Sequence, residues 1–455
     1  MDGAIAYSPA VTAVPVPPRS TVRQISAPAL RGLDWFNFLV ANVQTGFGPF
    51  IAVYLTTKHW TQIDIGVALS IGTIVSAASQ LPAGALVDHL RSKRVAALFA
   101  ILAISASATL IALTPTKSSV FAAELLHGFA SCVLNPAIAA MSLAVVGRIG
   151  LGLRLGRNAQ FASMGNAFAA AAMGAVGYYV SSRSVFALTV AMALLAILPL
   201  QAIGPARLAV QSVTPKQRAP RTPLREIVAL LTEPRLLVFA AAAFLFQLAD
   251  AAMLPLAASN VTKQAGGVAN LIIAASIMIP QAIVAVISPW IGRTADQGRW
   301  RLVMLLGWAA EPVRGLLMAI LPSAAWAVAP VQAIGGLSAA AFGVMMPLVC
   351  AEITRGTNRF NTVMGAVGLA VFGGAAISTT LAGWLVDAFG LSAAFVGLAL
   401  AGAAGAVLVG ISAPWLSGRR VRGEPPILVL QKHGVALGRS EQRAPSAARP
   451  FRSPA

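Results

Sequence analysis

Apolar residues in this chain come in long, nearly continuous runs separated by short polar breaks. Twelve runs are long enough to cross a membrane: 33–55, 65–86, 95–113, 120–146, 159–180, 185–203, 236–259, 268–290, 302–321, 325–349, 362–386 and 392–414. A hydrocarbon core of about 30 Å takes roughly 20 residues of helix. The runs lack the period-2 alternation of a membrane β-strand, and a helix satisfies its own backbone in lipid. The pattern predicts an all-α membrane protein with about twelve spans. The many glycines and alanines fall inside the runs, where small side chains let helices approach closely.

Composition agrees. Of 455 residues, 57% are hydrophobic and 10% charged, against roughly 25% charged in a soluble domain. The net charge of +19 would suit nucleic acid, but its placement argues against that partner. Of 33 Lys and Arg, 28 fall on one side of the predicted topology, four on the other, and Arg314 lies within a span. Basic loops stay in the cytoplasm, so both termini are expected there, in a bacterial inner membrane. Cys132 and Cys350 lie about 200 residues apart in apolar surroundings, which does not make a disulfide framework. His59, His89, His127 and His433 have no metal-ligand spacing, and no cofactor is expected.

The runs form two groups of six. Residues 1–30 are broken by prolines and read as a disordered tail without a signal peptide. The N-terminal bundle is expected over 31–203, a basic proline-rich linker with a short helix near Leu224–Leu231 over 204–235, the second bundle over 236–414, and a disordered basic tail over 415–455. The halves repeat. Gly84 and Asp88 recur as Gly292 and Asp296, and Gly128 as Gly336, all 208 residues on; Met164-Gly165 recurs as Met364-Gly365 after 200. Two such repeats suggest alternating access around a site at their interface.

Over roughly residues 30–414 the chain resembles the major facilitator superfamily. Gly84, Asp88, Arg91, Lys93 and Arg94 match its G-x-x-x-D loop followed by basic residues, with one extra residue and without the usual glycine. Gly292, Asp296, Arg299 and Arg301 are the second copy. The resemblance implies a gate in which each aspartate faces a helix N-terminus, where the macrodipole favours a carboxylate; topology anchoring is the plainer reading of the arginines. Gly165, Gly174 and Gly177 have the spacing of the drug-antiporter glycine motif without its Gly-Pro pair, and close packing explains them equally well. In the fourth span Glu124-Leu125-Leu126-His127-Gly128 stands where many drug/proton antiporters carry an Arg-x-x-Gln-Gly-like pattern. That departure separates this chain from ordinary drug/proton antiport.

Ionisable residues inside spans are functional candidates. Asp34 and Asp387 lie near helix ends, within reach of water; Asp250 sits mid-span with Gln247 one turn before it and no partner nearby in sequence. Glu311 and Arg314 are spaced i, i+3 and read as a buried ion pair. Glu124 and His127 share that spacing, as a proton-linked pair or a hydrogen-bonded one. The resemblance places the first, fourth, seventh and tenth spans around a central cavity. It implicates Asn42, Gln44, Glu124, His127, Asn135, Gln247, Asp250 and Gln332 in binding substrate or protons, with Phe47 and Phe246 as apolar walls. The expected function is a monomeric, proton-coupled secondary transporter that exports a small organic molecule. An uptake permease for a nutrient or siderophore-like compound is the runner-up. A non-transporting sensor or intramembrane enzyme is the rival class. Neither a nucleophile motif nor a phosphate-binding loop is present, so the chain is not expected to be an enzyme.

Overall fold

In a computed structural model the described residues are 27–45, 49–60, 62–148, 150–203, 231–257, 260, 269–321, 325–357 and 359–416. They form helices α1 (Ala27–Thr45), α2 (Pro49–Thr57), α3 (Gln62–His89), α4 (Lys93–Leu113), α5 (Lys117–Val146), α6 (Leu151–Tyr179), α7 (Ser182–Ala202), α8 (Pro234–Asp250), α9 (Ala269–Asp296), α10 (Trp300–Ile320), α11 (Ala325–Ile353), α12 (Phe360–Phe389) and α13 (Leu391–Leu416). Residues 1–26, the segment 204–230 with all of the expected linker helix but Leu231, and residues 417–455 lie outside the described residues.

Among the described residues ten helices are long and apolar enough to cross a membrane. The other two crossings, α6 and the first one, made by α1 and α2 together, are the polar ones. The expected run 33–55 is two helices, and α1 begins at Ala27, so four residues of the expected tail are helical. Helix α6 begins at Leu151, eight residues before the expected 159. The early start of α6 has a physical reason. Hydropathy alone assigns Arg154 and Arg157 to a loop, but they are helical residues whose charges meet Asp34 of α1. A charge satisfied by a neighbouring helix does not end a span.

One core lies within the first half, and a second, built mainly from the second half, also takes in Ala139, Ala140, Leu151 and Leu155. Leu33, Phe36, Ile101, Ile104 and Phe186 centre the first; Phe239, Trp308, Val344 and Met345 centre the second. Phe246, expected on a cavity wall, is 3% exposed. It stacks on Phe342 at 4.6 Å beside Trp308, and Trp308 Nε1 donates to Ala242 O at 3.0 Å. Phe246 therefore belongs to packing.

The halves meet along two crossings, α3 with α12 and α6 with α9. Gly84 lies against the backbone of Asn361, and Gly365 against that of Gln80; Gly292 lies against Gly152, and Gly156 against Ser288. The offset between equivalent positions is 208 from α3 to α9 and 209 from α6 to α12. This corrects the repeat in the fifth and eleventh spans. Gly365 matches Gly156, not Gly165, which packs on Phe38 within the first half. The recurrence after 200 residues is a coincidence of sequence.

Candidate functional site

The two crossings carry the two aspartates of the repeat to helix N-termini in the opposite half. Asn361 N–H and Nδ2 donate to Asp88 Oδ1 (3.0 and 2.7 Å), and Thr362 N–H and Oγ1 donate to Oδ2 (2.7 and 2.8 Å). Gly152 and Leu153 N–H donate to Asp296 Oδ1 and Oδ2 (2.8 and 2.7 Å). With Arg359 and Gly150 as N-caps, these donors are the second and third residues of α12 and α6. The first-turn N–H groups of a helix have no partner inside it, so each carboxylate caps a helix of the other half. The spacing G-x-x-x-D has a physical reason. A glycine one turn before the aspartate lies on the same face, and a side chain there would collide. A Cβ on Gly84 would stand 2.8 Å from Asn361 C, and one on Gly292 would stand 2.7 Å from Gly152 C.

Of the arginines expected to share this gate, Arg94 is engaged within its own half. Arg94 Nε donates to Leu200 O at 3.1 Å and Nη2 to Gln201 O at 3.4 Å, holding the end of α7 in its own half. Arg91 and Arg299 are exposed. A cross-half contact that the sequence did not mark comes from Arg148 instead. It follows Gly147, whose φ of 73° ends α5, and its Nη1 donates to Ala351 O near the end of α11. Burial and the neighbouring Arg355 lower its pKa, opposed by Glu352.

Asp34 is not a solvated end residue. It is 3% exposed and lies 2.5 Å from Arg154 Nη2 and 2.8 Å from Arg157 Nη2. Arg154 Nε continues to Asn158 Oδ1 (2.8 Å), and Asn158 Nδ2 to Ser142 Oγ (2.7 Å). This network fixes the first turns of α6 against α1 and α5, directly behind the turn that receives Asp296.

Deeper in the second half, Arg314 serves two carboxylates with one nitrogen. Its Nη1 is 2.5 Å from Asp250 Oδ1 and 3.1 Å from Glu311 Oε2. Ser338 Oγ donates to Glu311 Oε1, and the guanidinium lies on Gly335. The partner of Asp250, absent from its own stretch of sequence, comes from α10. In the first half, Glu124 is buried against Gly72, and its Oε1 has no hydrogen-bond partner among the described residues. His127 is half-buried.

A cleft of about 320 Å³ lies between the halves, lined by Gln44, Asn166, Ala167, Ala170, Ile277, Met278 and Gln281. Of the expected binding residues, only Gln44 lines it. Asn42 turns back to Phe38 O at 2.8 Å, Gln332 is buried with Nε2 unpartnered among the described residues, Gln247 is half-buried and Asn135 is exposed. Asn166 and Gln281 are the additions. They sit on α6 and α9, outside the four spans that the resemblance places around the cavity, and a lone amide in an apolar run gives no signal of what it faces. The cleft begins ten residues along α6 from the Gly156–Ser288 crossing, about 15 Å at 1.5 Å per residue.

A family model described as Major Facilitator Superfamily matches residues 35–311. Two curated Mycobacterium tuberculosis proteins, from strains CDC 1551 / Oshkosh and ATCC 25618 / H37Rv, are each named an uncharacterized MFS-type transporter. Each is 33% identical over 422 residues, covering 91% of this chain and 99% of the relative. Among solved structures, the crystal structure of the transporter FucP in the outward conformation matches with a TM-score of 0.61 and 15% identity, over 86% of this chain and 99% of that one.

Proposed function

This chain belongs to the major facilitator superfamily, a family of membrane transporters, and on that premise we propose that it exports a small organic solute by proton-coupled alternating access. The observation that carries the reading is the pairing of seals with cleft. Asp88 and Asp296 cap helices of the opposite half at the arginine-rich end, and the cleft lies farther along the same crossings. With the arginine-rich end cytoplasmic, this arrangement is outward-facing. The chain would then sit in a bacterial inner membrane with cytoplasmic termini and work as a monomer.

In the cycle, both seals break together as the halves rock about the central site. Each carboxylate leaves two backbone N–H groups to water, and the cleft closes while the arginine-rich end opens. Charge-assisted bonds of this kind contribute about 1.5–3 kcal/mol each, so a bound solute shifts the balance only by binding one state better than the other. The cleft wall, three amides among apolar side chains, suits an amphipathic solute. Intramembrane Asp250 and Glu124 are the carboxylates available to carry protons, and neither is sealed into a one-to-one ion pair.

The test is transport in inside-out vesicles loaded at acid pH, screened with candidate solutes. Accumulation that collapses with the proton gradient supports export by antiport. Solute leaving the vesicles under the same gradient reverses the direction, and transport without proton movement removes the coupling.

A further inference from the structure

We propose that the cleft takes an uncharged solute by an amide-like edge, one that donates and accepts hydrogen bonds side by side, held between Asn166 of the first half and Gln281 of the second. The proposal rests on the transporter reading above and names the substrate class of that site.

The two amides stand at similar depth. Gly156 of α6 lies against Ser288 of α9, and both helices lead from that crossing to the cleft. Asn166 is ten residues along α6 and Gln281 seven along α9, a rise of about 15 and 10 Å. Gln44 stands nearer the mouth. Gly165 lies against Phe38 of α1, and Gln44 is six residues beyond Phe38, about 9 Å farther out. Ala167 and Ala170 leave the α6 wall without bulk, and Ile277 and Met278, both exposed, give α9 an apolar face.

A carboxamide carries N–H donors and a carbonyl acceptor. A solute answers it fully by returning an acceptor and a donor together, as an amide, lactam or urea edge does. Such groups are neutral. Among the described residues no Asp, Glu, Lys or Arg lines the cleft; Glu124, Asp250, Glu311 and Arg314 lie outside its wall. A charged solute would give up hydration there without gaining a counter-charge.

The internal repeat sets the orientation. On the α3–α12 crossing the positions matching Gln281 and Asn166 are Thr73 and Ala375, by the offsets of 208 and 209. Thr73 turns its hydroxyl to Leu69 O at 3.0 Å, and alanine has no polar group. The polar edge is therefore read at α6–α9, and the apolar remainder of the solute lies toward α3–α12. Because the two amides belong to different halves, a solute bonded to both favours the state in which the cleft has closed around it. A solute bonded to one amide alone binds both states alike and shifts nothing.

Equilibrium dialysis of 2-naphthamide against the purified full chain tests this. The charged probes of the same shape are 2-naphthamidinium and 2-naphthoate, and 2-acetylnaphthalene is a neutral one without a donor. The wild type is expected to bind 2-naphthamide at least about tenfold more tightly than the other three, a difference of about 1.4 kcal/mol. Asn166→Leu and Gln281→Met should each bring 2-naphthamide to the level of 2-acetylnaphthalene, and the double variant should lose little more, because both amides hold one edge. Thermal unfolding shows that each variant is folded. Gln281→Glu should turn the preference to 2-naphthamidinium, a gain that loss of structure cannot mimic. Wild-type binding of any other probe as tight as that of 2-naphthamide overturns the proposal. So does unchanged binding in Asn166→Leu and Gln281→Met, or failure of 2-naphthamide to bind the wild type. Because binding is read without transport, each of these leaves the transporter reading to stand or fall on the vesicle experiment.

Discussion

Arg154 and Arg157 both hold Asp34, yet their substitutions should differ. Arg154 has 2% of its side chain exposed and Arg157 41%. Replacing Arg154 with Ala leaves a buried carboxylate half-paired and frees Asn158, and is expected to cost about 3–5 kcal/mol. Arg157→Ala is expected to cost about 0–1 kcal/mol, as for a solvated pair. Thermal unfolding in detergent orders the two; equal shifts would mean that the two arginines hold Asp34 equally, whatever their exposure. The seals should also be unequal. Asp88 accepts four hydrogen bonds, two of them from side chains, whereas Gly152 and Leu153 offer Asp296 their backbone N–H groups alone. Asp88→Asn is expected to open the arginine-rich end more than Asp296→Asn, read as the rate at which a maleimide labels a cysteine placed at Ala83. The reverse order would give the main seal to Asp296.

At the scale of helices, glycines divide by what they face. Gly84, Gly152, Gly156, Gly292 and Gly365 each lie against backbone of the opposite half, whereas a Cβ on Gly174 would meet no neighbouring element within 4 Å among the described residues. Gly84→Val and Gly292→Val are expected to hold the crossings apart and abolish the sealed state without unfolding either half. Gly174→Ala should be silent or stabilise α6 by roughly 0.5–1 kcal/mol through the helix preference of alanine. Labelling of the same cysteine distinguishes these outcomes; a sealed Gly84→Val protein would mean that the crossing is not the point of closest approach. Gly165, Gly174 and Gly177 thus do not act as one motif here. Among the described residues a Cβ would meet Phe38 at Gly165, Val185 at Gly177 and nothing at Gly174.

For the molecule as a whole, closure at one end and a cleft farther along predict an asymmetric pattern of accessibility. Native Cys132 and Cys350 are buried, so a maleimide reads introduced cysteines against a low background. Cysteines at Asn166 and Ile277 should label from the side away from the arginine-rich loops, and one at Ser288 should resist labelling. Transported solute should reverse the order as the halves rock; unchanged labelling during turnover would remove the rocking cycle.

How much of this was legible in the sequence depends on the range of the physics. Span length, apolar content and loop charge are local, and each follows from the need to keep polar backbone and charge out of lipid. Twelve spans, all-helical architecture and a two-fold repeat could therefore be read directly, along with Gly84, Asp88, Gly292 and Asp296 as a marked set. Pairing across helices is not local. The sequence could not show that Arg154 and Arg157 belong inside α6, because their partner Asp34 lies over a hundred residues away. Nor could it give Asp250 its Arg314, match Gly156 to Gly365, or bring Asn166 and Gln281 to one cleft. The i, i+3 spacing of Glu124 and His127 suggested a pair; that Glu124 also lies against Gly72 of another helix could not be read from it. What the chain determined by itself was which segments enter the membrane. Which buried charges meet was decided only by the packing of helices, because a charge in lipid takes its partner from whatever lies nearest in space.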